Sequence, residues 1–76
     1  MRRDKLEILK DILAICNKRR AKKTEITYGS NLSFTKVNEY LSWLIAHEFL
    51  KKEGNTFETT PAGRSFLVKL SHVKKL

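Results

Sequence analysis

The residues of this chain that could do chemistry fall into two sets. The first is a nucleophile-and-base set: one cysteine, Cys16, and two histidines, His47 and His72. Nucleophilic catalysis needs the thiol, a base and an orienting Asp or Asn in a recognisable arrangement. No such arrangement surrounds these three residues, and the chain has no glycine-rich phosphate loop. No Cys or His pair stands at metal-ligand spacing, so neither a metal nor another cofactor is expected, and the chain does not read as an enzyme. A lone cysteine cannot close an intramolecular disulfide. Cys16 reads as a small hydrophobe of the core, with an intermolecular disulfide as the alternative.

The second set lies in Asn31-Leu32-Ser33-Phe34-Thr35-Lys36-Val37-Asn38-Glu39-Tyr40-Leu41-Ser42-Trp43-Leu44. Val37, Tyr40, Leu41, Leu44 and Ile45 recur at helical spacing and form one apolar face. Ser33, Phe34, Thr35, Lys36, Asn38 and Glu39 are left on the other. Those side chains suit base edges in a major groove: Asn38 for adenine, Lys36 for guanine N7 or O6, Glu39 for cytosine N4, Thr35 or Phe34 for a thymine methyl. Phe34 could equally cover the corner between two helices, and Glu39 could simply pair with Lys36. Ser33 caps this helix, spanning about 33–47. Lys36 then takes the place of the Glu or Gln that would complete a capping box. A cation in a first turn opposes the helix dipole, a cost that is offset if Lys36 meets a phosphate or a guanine. Trp43 reads as packed against a hairpin or the first helix, with base stacking as the alternative.

Charge agrees with a polyanionic partner. Sixteen Lys and Arg stand against eight Asp and Glu, for a net +8. Such a field draws nucleic acid and releases its counterions. A solvated basic surface and a membrane surface are the competing readings. No stretch approaches the length of a membrane span. Arg2-Arg3 is followed by Asp4, Glu7 and Asp11, which interrupt any secretory signal core. The expected location is the cytoplasm, with no small-molecule ligand.

The elements that must position these residues follow from periodicity. One domain over 1–76 is expected, small enough that a partner subunit would add stability. Asp4 to Arg20 reads as a first helix, with Leu6, Leu9, Ile12, Leu13 and Cys16 buried. Ile8 and Ile15 widen that stripe, which suggests contacts on two sides, one of them a partner. Lys18 to Lys23 reads as a basic loop, in which Arg19, Arg20, Lys22 and Lys23 are candidates for DNA-backbone contact. Thr24 is the expected cap of a short second helix, Gly29 lets a neighbouring helix approach, and Leu32 plugs the corner. Leu50 to Thr59 reads as a short basic hairpin turning at Gly54-Asn55. Phe57 folds inward there, and Lys51, Lys52, Asn55 and Thr56 point outward toward a DNA backbone or minor groove. Thr60-Pro61 opens a last helix whose stripe is Phe66, Leu67, Leu70 and Val73. Gly63 lies near its start, and Arg64 is a weaker phosphate candidate. Ile8, Ile15, Phe66, Leu70 and Val73 form the expected dimer surface.

The ordered set Lys23-Thr24-x-Ile26, Asn31-Leu32-Ser33-Phe34, Tyr40-Leu41-x-x-Leu44-Ile45, Phe49-Leu50 and Phe57-x-x-Thr60-x-x-Gly63-x-x-Phe66-Leu67 resembles archaeal winged-helix regulators. These occur in crenarchaeal genomes and in their viruses and plasmids. Family members commonly carry Gly where this chain has Glu48, and many have a longer C-terminal helix that forms a coiled-coil dimer. The resemblance implies a homodimeric DNA-binding protein of transcription or chromatin. The expected fold is mainly α with a small antiparallel β-hairpin, a winged helix-turn-helix of four helices. The expected function is sequence-specific binding of duplex DNA as a transcriptional regulator. A dimer would set two recognition helices about 34 Å apart on a palindromic site. Two other readings stand beside it: an architectural DNA coat with little sequence preference, and a protein-interaction module.

Overall fold

Helices in this chain begin where a side chain takes up orphan backbone N–H groups. The computed structural model describes residues 4–72. The order is α1 (Lys5–Lys18), β1 (Ala21–Lys22), α2 (Lys23–Ser30), α3 (Phe34–Ala46), β2 (Leu50–Glu53), β3 (Thr56–Thr59) and α4 (Pro61–His72). Asp4 Oδ1 accepts the Glu7 N–H at 2.9 Å to start α1. Ser33 Oγ accepts the Lys36 N–H at 3.2 Å to start α3. Thr60 Oγ1 accepts the Gly63 N–H at 2.9 Å to start α4, and it donates to the Glu48 carbonyl at 2.7 Å. That hydroxyl therefore joins the end of one helix to the beginning of another.

The start of α2 differs from expectation. Lys22, not Thr24, is the N-cap residue, and the Glu25 carboxylate reaches back to the Lys22 N–H at 2.9 Å. The cap is supplied from inside the helix by the N3 carboxylate, half of a capping box, which also suits the positive end of the helix dipole.

Helices α2 and α3 both end in the same way. Asn31 follows α2 at φ 60°, its N–H donating to Tyr28 O, while the Leu32 N–H donates to Thr27 O. Glu48 follows α3 at φ 64°, its N–H donating to Ile45 O at 2.9 Å, while the Phe49 N–H donates to Leu44 O at 2.9 Å. These are two Schellman ends, each needing a left-handed residue. Asn tolerates that conformation. Glu does not, and holds it at a cost of about 1–2 kcal/mol. Glu48 is the position where the resembling family commonly has Gly.

Between 18 and 23 the chain is not a loop. Ala21 and Lys22 form a short strand, with Ala21 opposite Phe57 and Lys22 opposite Thr56. The expected hairpin is thus part of a three-stranded antiparallel sheet of order β1-β3-β2. Ala21 is buried among charged neighbours because it lies on the Phe57 face. The hairpin register pairs Glu53 with Thr56, which leaves Gly54-Asn55 as a two-residue turn. Gly54 takes φ 61°, the positive value that the first turn position requires.

The core is one cluster in which Ile12, Leu13, Cys16, Ile26, Val37 and Leu44 are fully buried. Burial of such a side chain contributes about 1.5–3 kcal/mol. Two side chains of α1 exchange their expected roles. Ile8 is buried, whereas Leu6 is 47% exposed. Leu6 lies in the first turn, beyond the end of the core. The wide apolar surface of α1 is used within the chain, against α2, β3 and α4. Ile15 packs on Gly29, where a Cβ would stand 2.6 Å from Ile15 Cδ1. Thr59, buried at the base of the hairpin, donates its hydroxyl to Leu13 O at 2.8 Å and ties β3 to α1. Gly63 lets α4 lie on the hairpin approach: a Cβ there would collide with the Phe49 carbonyl and sit 2.7 Å from Thr59 Cγ2.

Candidate nucleic-acid interface

Helix α3 buries Val37, Leu41 and Leu44 and leaves Ser33, Phe34, Thr35, Lys36, Asn38 and Glu39 exposed. The three-residue turn Asn31–Ser33 between α2 and α3 has its corner filled by Leu32, half-buried against the core. This fixes the direction in which the first two turns of α3 face solvent. Phe34 covers the corner in part: Lys23 Nζ stands 5.6 Å from its ring centroid, and the ring stays half exposed. Lys36 Nζ lies 3.7 Å from the Glu39 carboxylate, an exposed pair on one helix face.

The far end of α3 carries no such polar display. Trp43 stacks on His47 with ring centroids 4.0 Å apart. It also meets Phe49 and Phe66, which stack on each other at 4.4 Å. His47 Nδ1 lies 2.9 Å from Trp43 O. Trp43 is therefore part of an aromatic cluster that joins α3, the approach to β2 and α4, rather than packed on the hairpin strands. Beside it runs an open groove of about 420 Å³, lined in part by Leu6, Leu9, Tyr40, Trp43 and Phe66.

Positive charge sits elsewhere. From 24 to 49 only Lys36 stands against Glu25, Glu39 and Glu48. In the hairpin Lys51 and Lys52 are balanced by Glu53 and Glu58, so it is not a basic finger. Its outer face holds ion pairs: Lys51 with Glu53 at 3.8 Å, and Arg20 with both Glu53 and Glu58 at 3.5 Å. Lys52 shares the face of Phe57 in the register, its Nζ 5.9 Å from that ring, instead of pointing outward with Lys51. Asn55 is exposed at the tip, while Thr56 is half-buried and donates to Glu53 O at 2.9 Å. Residues 18 to 23, by contrast, hold five cations and no carboxylate. Strand β1 fastens this segment to the sheet on one side, and Lys23 fastens it to Phe34 on the other. The segment is thus a bridge between the start of α3 and the hairpin, which no periodicity in a two-residue strand could reveal. Arg19 pairs with Glu25 at 3.5 Å. Arg64 is exposed in the first turns of α4.

The expected dimer surface is partly spent. Ile8 and Leu70 belong to the core of the chain itself, and Ile15 and Phe66 are half-buried against it. Val73 lies outside the described residues. Leu6 and Trp43, which line the groove beside Phe66, remain exposed, and neither was among the residues expected there; Val68 is exposed on the opposite face of α4. Tyr28 on α2, 89% exposed, is another surface residue that spacing did not single out.

Cys16 is fully buried, and burial pushes its thiol up to about 12, with the Glu25 carboxylate adding to the shift. It has no surface through which to form a disulfide in the folded chain. Among the described residues no group of three His, Cys, Asp or Glu could hold a metal ion. No described helix is long and apolar enough to cross a membrane.

The sequence matches the winged helix-turn-helix family over residues 2–76. The chain belongs to that family. Its fold is likewise similar to the crystal structure of Sso10a-2, a DNA-binding protein from Sulfolobus solfataricus, with a TM-score of 0.81 and 26% identity over 91% of this chain and 76% of that one. Two uncharacterized proteins of Methanocaldococcus jannaschii are also similar. One is 33% identical over the whole chain, which spans 36% of that protein's length. The other is 33% identical over 63 residues, 83% of this chain and 65% of that protein. In this winged helix-turn-helix chain, α3 occupies the recognition-helix position and β2–β3 form the wing.

Proposed function

We propose that this chain binds duplex DNA in a sequence-specific way and serves as a transcriptional regulator. The observation that carries the reading is the contact of Lys23 with Phe34, which joins the cationic segment to the start of α3. In this reading Thr35, Lys36 and Asn38 meet base edges in the major groove, with Ser33, Phe34 and Glu39 beside them. Arg19, Arg20, Lys22 and Lys23 lie on the phosphate backbone and set the register. Helix α2 crosses the backbone, where the exposed hydroxyl of Tyr28 suits a phosphate oxygen. The wing contributes Lys51, Lys52, Asn55 and Thr56 alongside, and Arg64 is a further phosphate contact. The winged helix-turn-helix family and the similarity to a DNA-binding protein support this reading. The mechanism is occupancy of an operator, in the cytoplasm, by a single domain. A homodimer would engage a palindrome with half-sites about 34 Å apart. Its contact would run through Phe66 and the exposed Leu6 and Trp43, because Ile8 and Leu70 are occupied in the core.

An architectural DNA coat is the second reading. It is favoured by the position of the charge, which lies beside the base-reading face rather than on it. Fluorescence anisotropy at two salt concentrations separates the two, with duplex from upstream of the protein's own gene against a scrambled duplex. A regulator binds the native duplex tightly, with salt sensitivity and clear preference. Equal binding to both duplexes favours the coat. Binding to neither overturns the DNA reading and leaves a protein-interaction module.

A further inference from the structure

We infer that Glu53 and Glu58 hold Arg20 as an internal stand-in for phosphate, so that DNA must displace them before Arg20 can engage. This rests on the DNA-binding reading above and adds two residues that set the affinity for duplex DNA of any sequence. Arg20 is the residue immediately before β1, at the edge of the sheet. Its guanidinium spans two strands, with Nη2 3.5 Å from Glu53 Oε1 on β2 and Nε 3.5 Å from Glu58 Oε1 on β3. A guanidinium flanked by two carboxylate oxygens sits among negative oxygens as it would beside a phosphate.

The pairs are open to water. The Arg20 side chain is 60% exposed, and those of Glu53 and Glu58 are 53% and 42% exposed. Exposed pairs of this kind are weak and screened by salt, so they hold the fold together little and exchange readily. Their effect falls on the ligand. A phosphate that takes Arg20 leaves two carboxylates beside the DNA backbone, a repulsive element that weakens every duplex equally. Only a duplex that also makes base contacts at α3 offsets that loss. A penalty common to all duplexes lowers every affinity by the same factor, so only a well-contacted duplex stays bound at a given protein concentration, while the ratio between right and wrong sites is unchanged.

The same wing face shows why the effect is local. Glu53 also pairs with Lys51 at 3.8 Å, so the outer face of the hairpin is charge-balanced by its own residues and by Arg20. Unlike them, Lys22 and Lys23 carry no carboxylate partner in any ion pair among the described residues. Phosphate binding at those lysines needs no exchange, whereas Arg19, paired with Glu25, and Arg20, held by two carboxylates, must first be released.

The experiment uses the full chain and the native and scrambled duplexes, with Glu53→Gln/Glu58→Gln compared with wild type. Affinity for the scrambled and the native duplex rises by a similar factor, so the preference between them is kept. The dependence of log affinity on log salt steepens by about 0.9, the increment for one more neutralised phosphate. The same double substitution is then made on an Arg20→Gln background, where this steepening disappears. An equal rise in affinity on both backgrounds overturns the inference, because the carboxylates would then act by plain repulsion and not through Arg20. Unchanged binding by the double variant, with wild type still binding DNA, overturns it too. If wild type binds neither duplex, the DNA-binding reading itself fails. Thermal unfolding of each variant close to wild type shows that the fold is intact.

Discussion

The start of α3 and the segment just before α2 lie side by side and are built on opposite principles. Residues 33 to 39 present two hydroxyls, an amide, an aromatic ring and one balanced lysine at the start of a rigid helix. Residues 18 to 23 present five cations on an extended connection held by a two-residue strand. The first region can discriminate and attracts weakly. The second attracts strongly and cannot discriminate, since phosphates are the same everywhere. If the proposed function holds, net charge alone would place the recognition surface on the wrong element.

The contrast holds only while one frame carries both regions, and Gly63 is where the frame is easiest to break. Gly63→Ala forces a Cβ against the Phe49 carbonyl, and no flexible side-chain end is there to yield. A loss of about 3 kcal/mol is expected, at the upper end of overpacking costs. Urea unfolding measures it, and DNA affinity should fall with the folded fraction rather than by any change in salt slope. Next in size is the cationic segment. Replacing Arg19, Lys22 and Lys23 together by Gln removes three phosphate partners and lowers the salt slope by about 2.7, roughly a hundredfold in affinity at physiological salt. Native and scrambled duplexes should lose equally. If the native duplex lost much more, the segment would be reading sequence and the contrast would collapse.

Asn38→Ala sharpens the other half. It should cost about 1–3 kcal/mol on the native duplex, leave the scrambled duplex unchanged and keep the salt slope. A competition titration between the two duplexes reads this directly. The smallest effect is at the joint between α3 and the wing. Glu48→Gly relieves a left-handed residue and should stabilise the chain by about 1 kcal/mol, seen as a rise of several degrees in Tm. DNA affinity should stay the same.

Much of the frame was legible in the residues. Ser33 and Thr60 announced their helices because a hydroxyl before an apolar period has one local meaning, and Gly54-Asn55 announced its turn in the same way. These are decisions made within a few residues. Several of the failures lie where distant segments meet. Ala21-Lys22 is too short for any period, and it becomes a strand only because Phe57 offers a partner edge. Thr24 was the better cap by residue type, but Glu25 reached back past it. Leu6 has the correct helical phase and still lies outside, since phase does not tell where a core ends. Ile8 and Ile15 showed correctly that α1 has two apolar sides, but the second side belongs to neighbours within the same chain. The lysines alone make the hairpin look basic, although Glu53 and Glu58 are equally plain in the sequence and cancel them. The pairing of Arg20 across two strands needed the sheet order, which no spacing contains.

The burial of Cys16 makes this chain report on its own fluctuations. A thiol reagent attacks the thiolate, and a group held near 12 supplies almost none at neutral pH while α1 stays packed. Modification of the native chain must therefore wait for α1 to lift from α2 and the sheet. Its rate, compared with that of an unstructured thiol, measures the free energy of that opening. The single cysteine gives one signal from the centre of the molecule, with no label to introduce and no second site to subtract. Followed with and without duplex DNA, it would tell how far a ligand held at the surface quiets the core beneath.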